Sequence, residues 1–118
     1  MGQSYEWLNR ILSAFWGHAP IGAGRPRSAK WPAVRAAHLR RFGSCSACGR
    51  TANLEVHHVI PFQVDPGLEL HPDNLVTLCA DPCHLIFGHL MSWSSWNEWV
   101  RADSAAYLNR IRNRPKNN

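Results

Sequence analysis

The 118 residues predict a small α+β domain: two strands and a helix around a four-cysteine cluster, with further helices flanking them. Three observations carry that expectation. There are two closely spaced cysteine pairs, two short β-branched runs, and apolar residues at helical spacing outside them. A chain this short suggests one domain with a modest core, which a metal staple would strengthen.

From the N-terminus, Tyr5 to Trp16 carry Leu8, Ile11, Leu12 and Phe15 at helical spacing, which predicts an amphipathic helix. Ala19 to Arg27 hold two prolines and two glycines and read as a loop. A second helix is expected over Trp31 to Arg41, with Pro32 tolerated in its first turn. Arg35, Arg40 and Arg41 on that helix form either a solvated face or a phosphate-contacting one. Gly43 ends it, and the knuckle Cys45-Ser46-Ala47-Cys48-Gly49 follows.

Leu54 to Ile60 read as a strand closed by Pro61, and Asn74 to Cys79 as a second. Between them, Asp65-Pro66-Gly67 and His71-Pro72-Asp73 carry turn signals. Cys83 to Met91 look helical. Trp93, Trp96 and Trp99 are spaced by three and are expected to cap the core rather than to stack on bases. Asp103 is expected to cap a last helix through Ala105, Leu108 and Ile111. The expected segments are 1–30 (helix and loop), 31–92 (core) and 93–118 (Trp-rich segment and helix).

Charge is segregated. The net charge is +5 and the pI about 9.5, a balance that favours an anionic partner, nucleic acid first. Eight of the thirteen Lys and Arg residues lie between Arg10 and Arg50, and the other five between Arg101 and Lys116. Residues Thr51 to Val100 have none, yet hold six of the eight acidic residues and five of the seven histidines. Basic flanks can hold phosphates while the centre holds a metal. The opening MGQSYEW lacks a basic region followed by an apolar run, and no run approaches transmembrane length. The expectation is a cytoplasmic protein with no membrane partner.

Cys45-x2-Cys48 and Cys79-x3-Cys83 are separated by 30 residues. Zinc takes four soft ligands in a tetrahedron, and each pair can supply two sulfurs from one tight turn. In a reducing compartment such pairs are metal ligands more often than disulfides. The site predicts a structural Zn²⁺ and says nothing of catalysis. Glu55-Val56-His57-His58 ends the first strand. Neighbouring strand residues point to opposite faces, so His57 and His58 suit two different tasks, one holding a metal and one reaching a water. His84 follows the ligand Cys83, which fixes where it points.

The strings EVHHVIPF, DNLVTLC and PCHLIFGH together resemble the ββα-metal motif of HNH nucleases, and the cysteine frame resembles their zinc-bearing subgroup. The lead-in WPAVRAAHLRRFGSCSACG is similar to bacterial members, and the resemblance spans about Trp31 to His89. It implies a metal-dependent endonuclease that hydrolyses DNA phosphodiesters, double-stranded DNA first, leaving 5′-phosphate and 3′-hydroxyl ends. Carried over by position, it implies His58 as general base and His57 and His84 as ligands of the catalytic cation. Mg²⁺ leads as that ion, with Mn²⁺, Ni²⁺ or Zn²⁺ as alternatives. Asn74 would orient the base and brace the loop. Glu55 matches an acidic residue that supports the ligands in the colicin-type branch.

Two positions depart from the family pattern. A Lys commonly follows the final His, where Ile86 and Phe87 stand here. A further ligand lies four residues on in the colicin-type branch, where position 88 is Gly and His89 comes one step later. Five α-helical residues carry a side chain well around the axis, so His89 joins the ligands only if the helix is distorted or starts late. His18, His38 and His71 receive no role. The rival expectations are a non-catalytic zinc module that binds nucleic acid and a protein-interaction domain using the tryptophans. His57, His58 and Asn74 argue against the first and charge segregation against the second.

Overall fold

The computed structural model describes residues 26–115. The expected helix over Tyr5 to Trp16 lies outside them, as do the last three residues. Helix α1 spans Trp31–Arg41, as expected, with Pro32 in its first turn. Ala33, Ala36 and Ala37 favour helix, and His38, Arg40 and Arg41 complement the dipole at its C-terminal end. The backbone N–H of Phe42 closes the last turn on the His38 carbonyl at 2.8 Å.

Strands β1 (Leu54–His58) and β2 (Leu75–Cys79) pair antiparallel, with Leu54 opposite Cys79 and His58 opposite Leu75. Every residue of β2 is buried, so this strand is the spine of the domain. Both strands are shorter than the sequence suggested, and Asn74 explains why. Its Oδ1 accepts from the Ile60 backbone N–H at 2.8 Å, and its Nδ2 donates to the Ile60 and Leu68 carbonyls at 3.0 and 3.2 Å. These bonds replace the ladder beyond His58. The expected turns appear as short 3₁₀ segments at Pro66–Leu68 and Pro72–Asn74.

The helix expected over Cys83 to Met91 is instead one π-helical turn, His84–Gly88, after which Leu90 and Met91 take positive φ. Asn97 ends it. Its backbone N–H donates to the Gly88 carbonyl at 3.1 Å and its Nδ2 to the Phe87 carbonyl at 3.0 Å, so acceptors that a continuing helix would use are taken. The tryptophans do not share a face, because residues 93–99 are not helical. Trp96 is buried, whereas Trp93 and Trp99 are largely exposed.

Helix α2 spans Val100–Arg112 and starts earlier than expected. Asp103 lies in its first turn and accepts from Asn97 Nδ2 at 2.8 Å rather than capping the helix. The core gathers Cys45, Ala47, Val76, Leu78, Cys79, Cys83 and Val100, so the cysteines sit inside it. No helix among the described residues is long and apolar enough to cross a membrane.

Candidate metal centres and catalytic cleft

The knuckle brings Cys45 and Cys48 together because Gly49 takes φ +79°, a conformation that glycine adopts without strain. The Cys48 N–H points at the Cys45 sulfur, and the Ser46 N–H ties the knuckle to β2 through the Thr77 carbonyl. Cys79 ends β2, and Cys83 precedes the π turn. The four thiols form one cluster with their sulfurs within 4.8 Å of one another.

Cys48 Sγ lies 3.9 Å from Cys79 Sγ. That is far beyond a disulfide bond of about 2.05 Å. It is close to the roughly 3.8 Å edge of a tetrahedron with metal–sulfur bonds of about 2.3 Å. Burial raises the Cys45 thiol, but the backbone N–H groups of Cys48, Cys79 and Ala47 outweigh it and bring the thiol down to about 7. Burial and the neighbouring sulfurs push Cys83 up. Four packed thiols cannot all ionise without a cation among them, so this donor set fits a soft tetrahedral ion.

The second cluster is His57, His84 and His89, whose ligand nitrogens also lie within 4.8 Å of one another. His57 is buried at the end of β1 with Nδ1 3.1 Å from His84 Nε2. Two nitrogens about 2.1 Å from one ion stand roughly 3.0–3.4 Å apart. Glu55 accepts from His84 Nδ1 at 2.9 Å, which leaves His84 Nε2 free to face the cluster. His89 donates from Nδ1 to the Ser95 carbonyl at 2.7 Å, leaving its Nε2 as the ligand atom. Burial, then the neighbouring His84, His89 and His58, hold His57 down to about 2, so it is neutral, as a metal ligand must be.

The π turn is what admits His89. Its wider winding sets residues five apart nearly in line, so His84 and His89 come to 4.9 Å between ring centroids. Gly88 makes room for the cluster. A Cβ there would stand 2.9 Å from His57 Nδ1 and Cε1 and 3.1 Å from His84 Cδ2. Gly88→Ala is therefore expected to displace an imidazole and weaken ion binding on the order of ten- to a hundred-fold. Titration with Mn²⁺ or Ni²⁺ checks this, with metal content at the cysteines as the control; an unchanged affinity refutes it.

His58 points from β1 toward α1. Its ring lies 4.6 Å from the Trp31 ring, and its Nε2 lies 2.9 Å from the Glu69 carbonyl oxygen. A carbonyl only accepts, so Nε2 carries the proton and Nδ1 holds the lone pair. Burial lowers the His58 pKa against the Glu69 carbonyl, which raises it, and leaves the ring neutral near pH 7. The Asn74 side chain bonds to Ile60 and Leu68 rather than to His58, and so sets the loop whose Glu69 carbonyl holds His58. Glu69 is buried in turn, accepting from the Ser28 N–H at 3.1 Å.

One open cleft of about 230 Å³ is lined by His57, His58, His84 and His89, with Arg27, Phe62 and Trp93 at its walls. Arg27 lies over the Phe62 ring at 4.4 Å. Arg35, Arg40 and Arg41 do not line it. Arg41 borders a separate depression with His38, Phe42 and Arg101. Of the residues singled out in the sequence, the structure gathers the four cysteines in one cluster and His57, His84 and His89 in another, with His58 in the same cleft, Glu55 on His84 and Asn74 on the loop after β1. The sequence singled out neither Glu69, Arg27 nor Gly88 for the site, and it assigned Trp93 to the core rather than to the cleft it lines. Only Gly88, between two histidines, left a visible signal.

The comparisons agree with this geometry. The family model for HNH endonuclease matches residues 45–89, which run from the first cysteine of the knuckle to the last histidine of the cluster. Searches of curated proteins and of solved structures find no match to the chain.

Proposed function

We propose that this protein hydrolyses DNA phosphodiester bonds, duplex DNA foremost, around one divalent ion, because residues 45–89 match the family model for HNH endonuclease. The observation that supports the reading most is that His57, His84 and His89 share one open cleft with His58. When bound, the ion supplies positive charge to the phosphate and to the leaving oxygen.

His58 takes the proton of the attacking water at Nδ1, while its Nε2–H stays on the Glu69 carbonyl. The water oxygen bonds to phosphorus, the P–O3′ bond breaks and the departing O3′ takes a proton from solvent, leaving a 5′-phosphate and a 3′-hydroxyl. Glu55 keeps His84 in the tautomer that binds an ion through Nε2. Three imidazoles suit Ni²⁺ or Zn²⁺ better than Mg²⁺ or Mn²⁺, which favour oxygen donors. The cysteine cluster holds zinc. Arg27 contacts phosphate at the cleft, and Arg35, Arg40 and Arg41 do so along α1.

The test is cleavage of supercoiled plasmid by protein retaining its cysteine-bound metal, with Mg²⁺, Mn²⁺, Ni²⁺ or Zn²⁺ added separately. Nicked or linear product is expected with at least one ion. In a DNA-binding titration over a range of salt, combining Arg35→Ala with Arg40→Ala should weaken binding and flatten its salt dependence by about two ions' worth. If no ion supports cutting, a nucleic-acid-binding zinc module replaces the nuclease. If the arginine pair leaves the salt slope unchanged, α1 does not carry the phosphate contacts.

A further inference from the structure

Trp93 has no place in the chemistry above, yet it stands in the cleft. It is 60% exposed, whereas Trp96 in the same segment is 3% exposed. Its ring lies 5.2 Å from His84 and 4.8 Å from His89, with interplanar angles of 85° and 55°. Neither imidazole stacks flat on the indole, and much of its surface stays open. The segment that carries it is braced. The Ser92 N–H donates to the His89 carbonyl at 3.0 Å, the Ser95 N–H to the Ser92 carbonyl at 2.9 Å, and His89 itself holds the Ser95 carbonyl. Leu90 and Met91 are also exposed but do not line the cleft.

We propose that Trp93 is a stacking platform for the nucleobase beside the scissile phosphate, so that the preferred substrate is DNA with one base out of the helical stack. This rests on reading the cleft as a nuclease site. A phosphate held at the histidine cluster places its own nucleoside within reach of an indole that touches two of the three histidines. Residues 51–100 carry no Lys or Arg, so on this side of the cleft recognition comes from stacking rather than ion pairing. In an intact duplex each base face is covered by its neighbours. An indole can stack only on a base that is bulged, frayed or extruded, and extrusion is easiest where pairing is already lost.

The experiment uses a DNA duplex with a single unpaired 2-aminopurine, against a fully paired control, with wild type, Trp93→Ala and Trp93→Phe. Binding without added divalent ion should quench the 2-aminopurine in wild type and, more weakly, in Trp93→Phe, but not in Trp93→Ala. With an active ion, cuts should concentrate at the phosphate beside the unpaired base. Trp93→Ala should raise KM for that substrate about tenfold, within the range of one base–aromatic stack. Its ion dependence and its KM for the paired control should stay unchanged. Quenching that survives in Trp93→Ala overturns the proposal, as does an equal loss on both substrates or a loss traced to weaker ion binding. If quenching follows Trp93 but no ion supports cutting, the stacking site stands and the nuclease reading falls.

Discussion

Replacing His58 by alanine is expected to lower plasmid cleavage by a factor of about a hundred to ten thousand, the usual cost of deleting a general base. Fold, zinc content and DNA affinity should stay near wild type. The ring packs against Trp31 and makes one hydrogen bond to the Glu69 carbonyl, and it is no part of either ligand cluster. His57→Ala and His84→Ala should behave differently. Each removes a proposed ion ligand, so ion affinity should weaken, and activity should fall but recover in part with excess ion. Asn74→Ala should lie between, since it frees the loop that presents the Glu69 carbonyl without deleting the base. These contrasts separate roles that a single loss of activity would not. Cleavage by His58→Ala that matches wild type with every ion would remove His58 from the mechanism.

The second large effect is on folding. Cys48→Ser or Cys79→Ser should release the cysteine-bound metal and unfold the domain. Binding of structural zinc to a four-ligand site contributes about 10–16 kcal/mol in small zinc-dependent peptides. The whole stability of a domain this size is about 5–15 kcal/mol. Here the dependence is sharpened by position, because three of the four cysteines are buried in the only apolar cluster that joins the knuckle, β2 and α2 among the described residues. Metal content and thermal melting by circular dichroism check this. Stable, soluble, metal-free variants would show that the thiols pack without an ion.

What the sequence disclosed was local. Helix α1, both strands and the knuckle follow from short-range signals: Pro32 at a helix start, β-branched runs, and cysteines two apart with a glycine behind them. The histidines were placed on the right elements because motif order fixes them. The contacts of Glu69 and Arg27 were not foreseen, since they arise only when the loop after β1 folds back over it, and no spacing rule spans that distance. The tryptophans misled for the opposite reason. Spacing by three implies a common face only on a helix, and Asn97 stops the helix before they begin.

His89 exposes a tacit assumption in reading ligands from spacing. A gap of four or five residues has no chemical meaning until the winding of the backbone is known, because an α turn aligns the first and a π turn the second. Inserting one residue into such a turn need not break a metal site; the turn can absorb it by widening. Here the extra position is occupied by the one residue without a side chain, where a methyl group would collide with two imidazoles. The same three-nitrogen face is thus within reach of chains that differ in length by one residue.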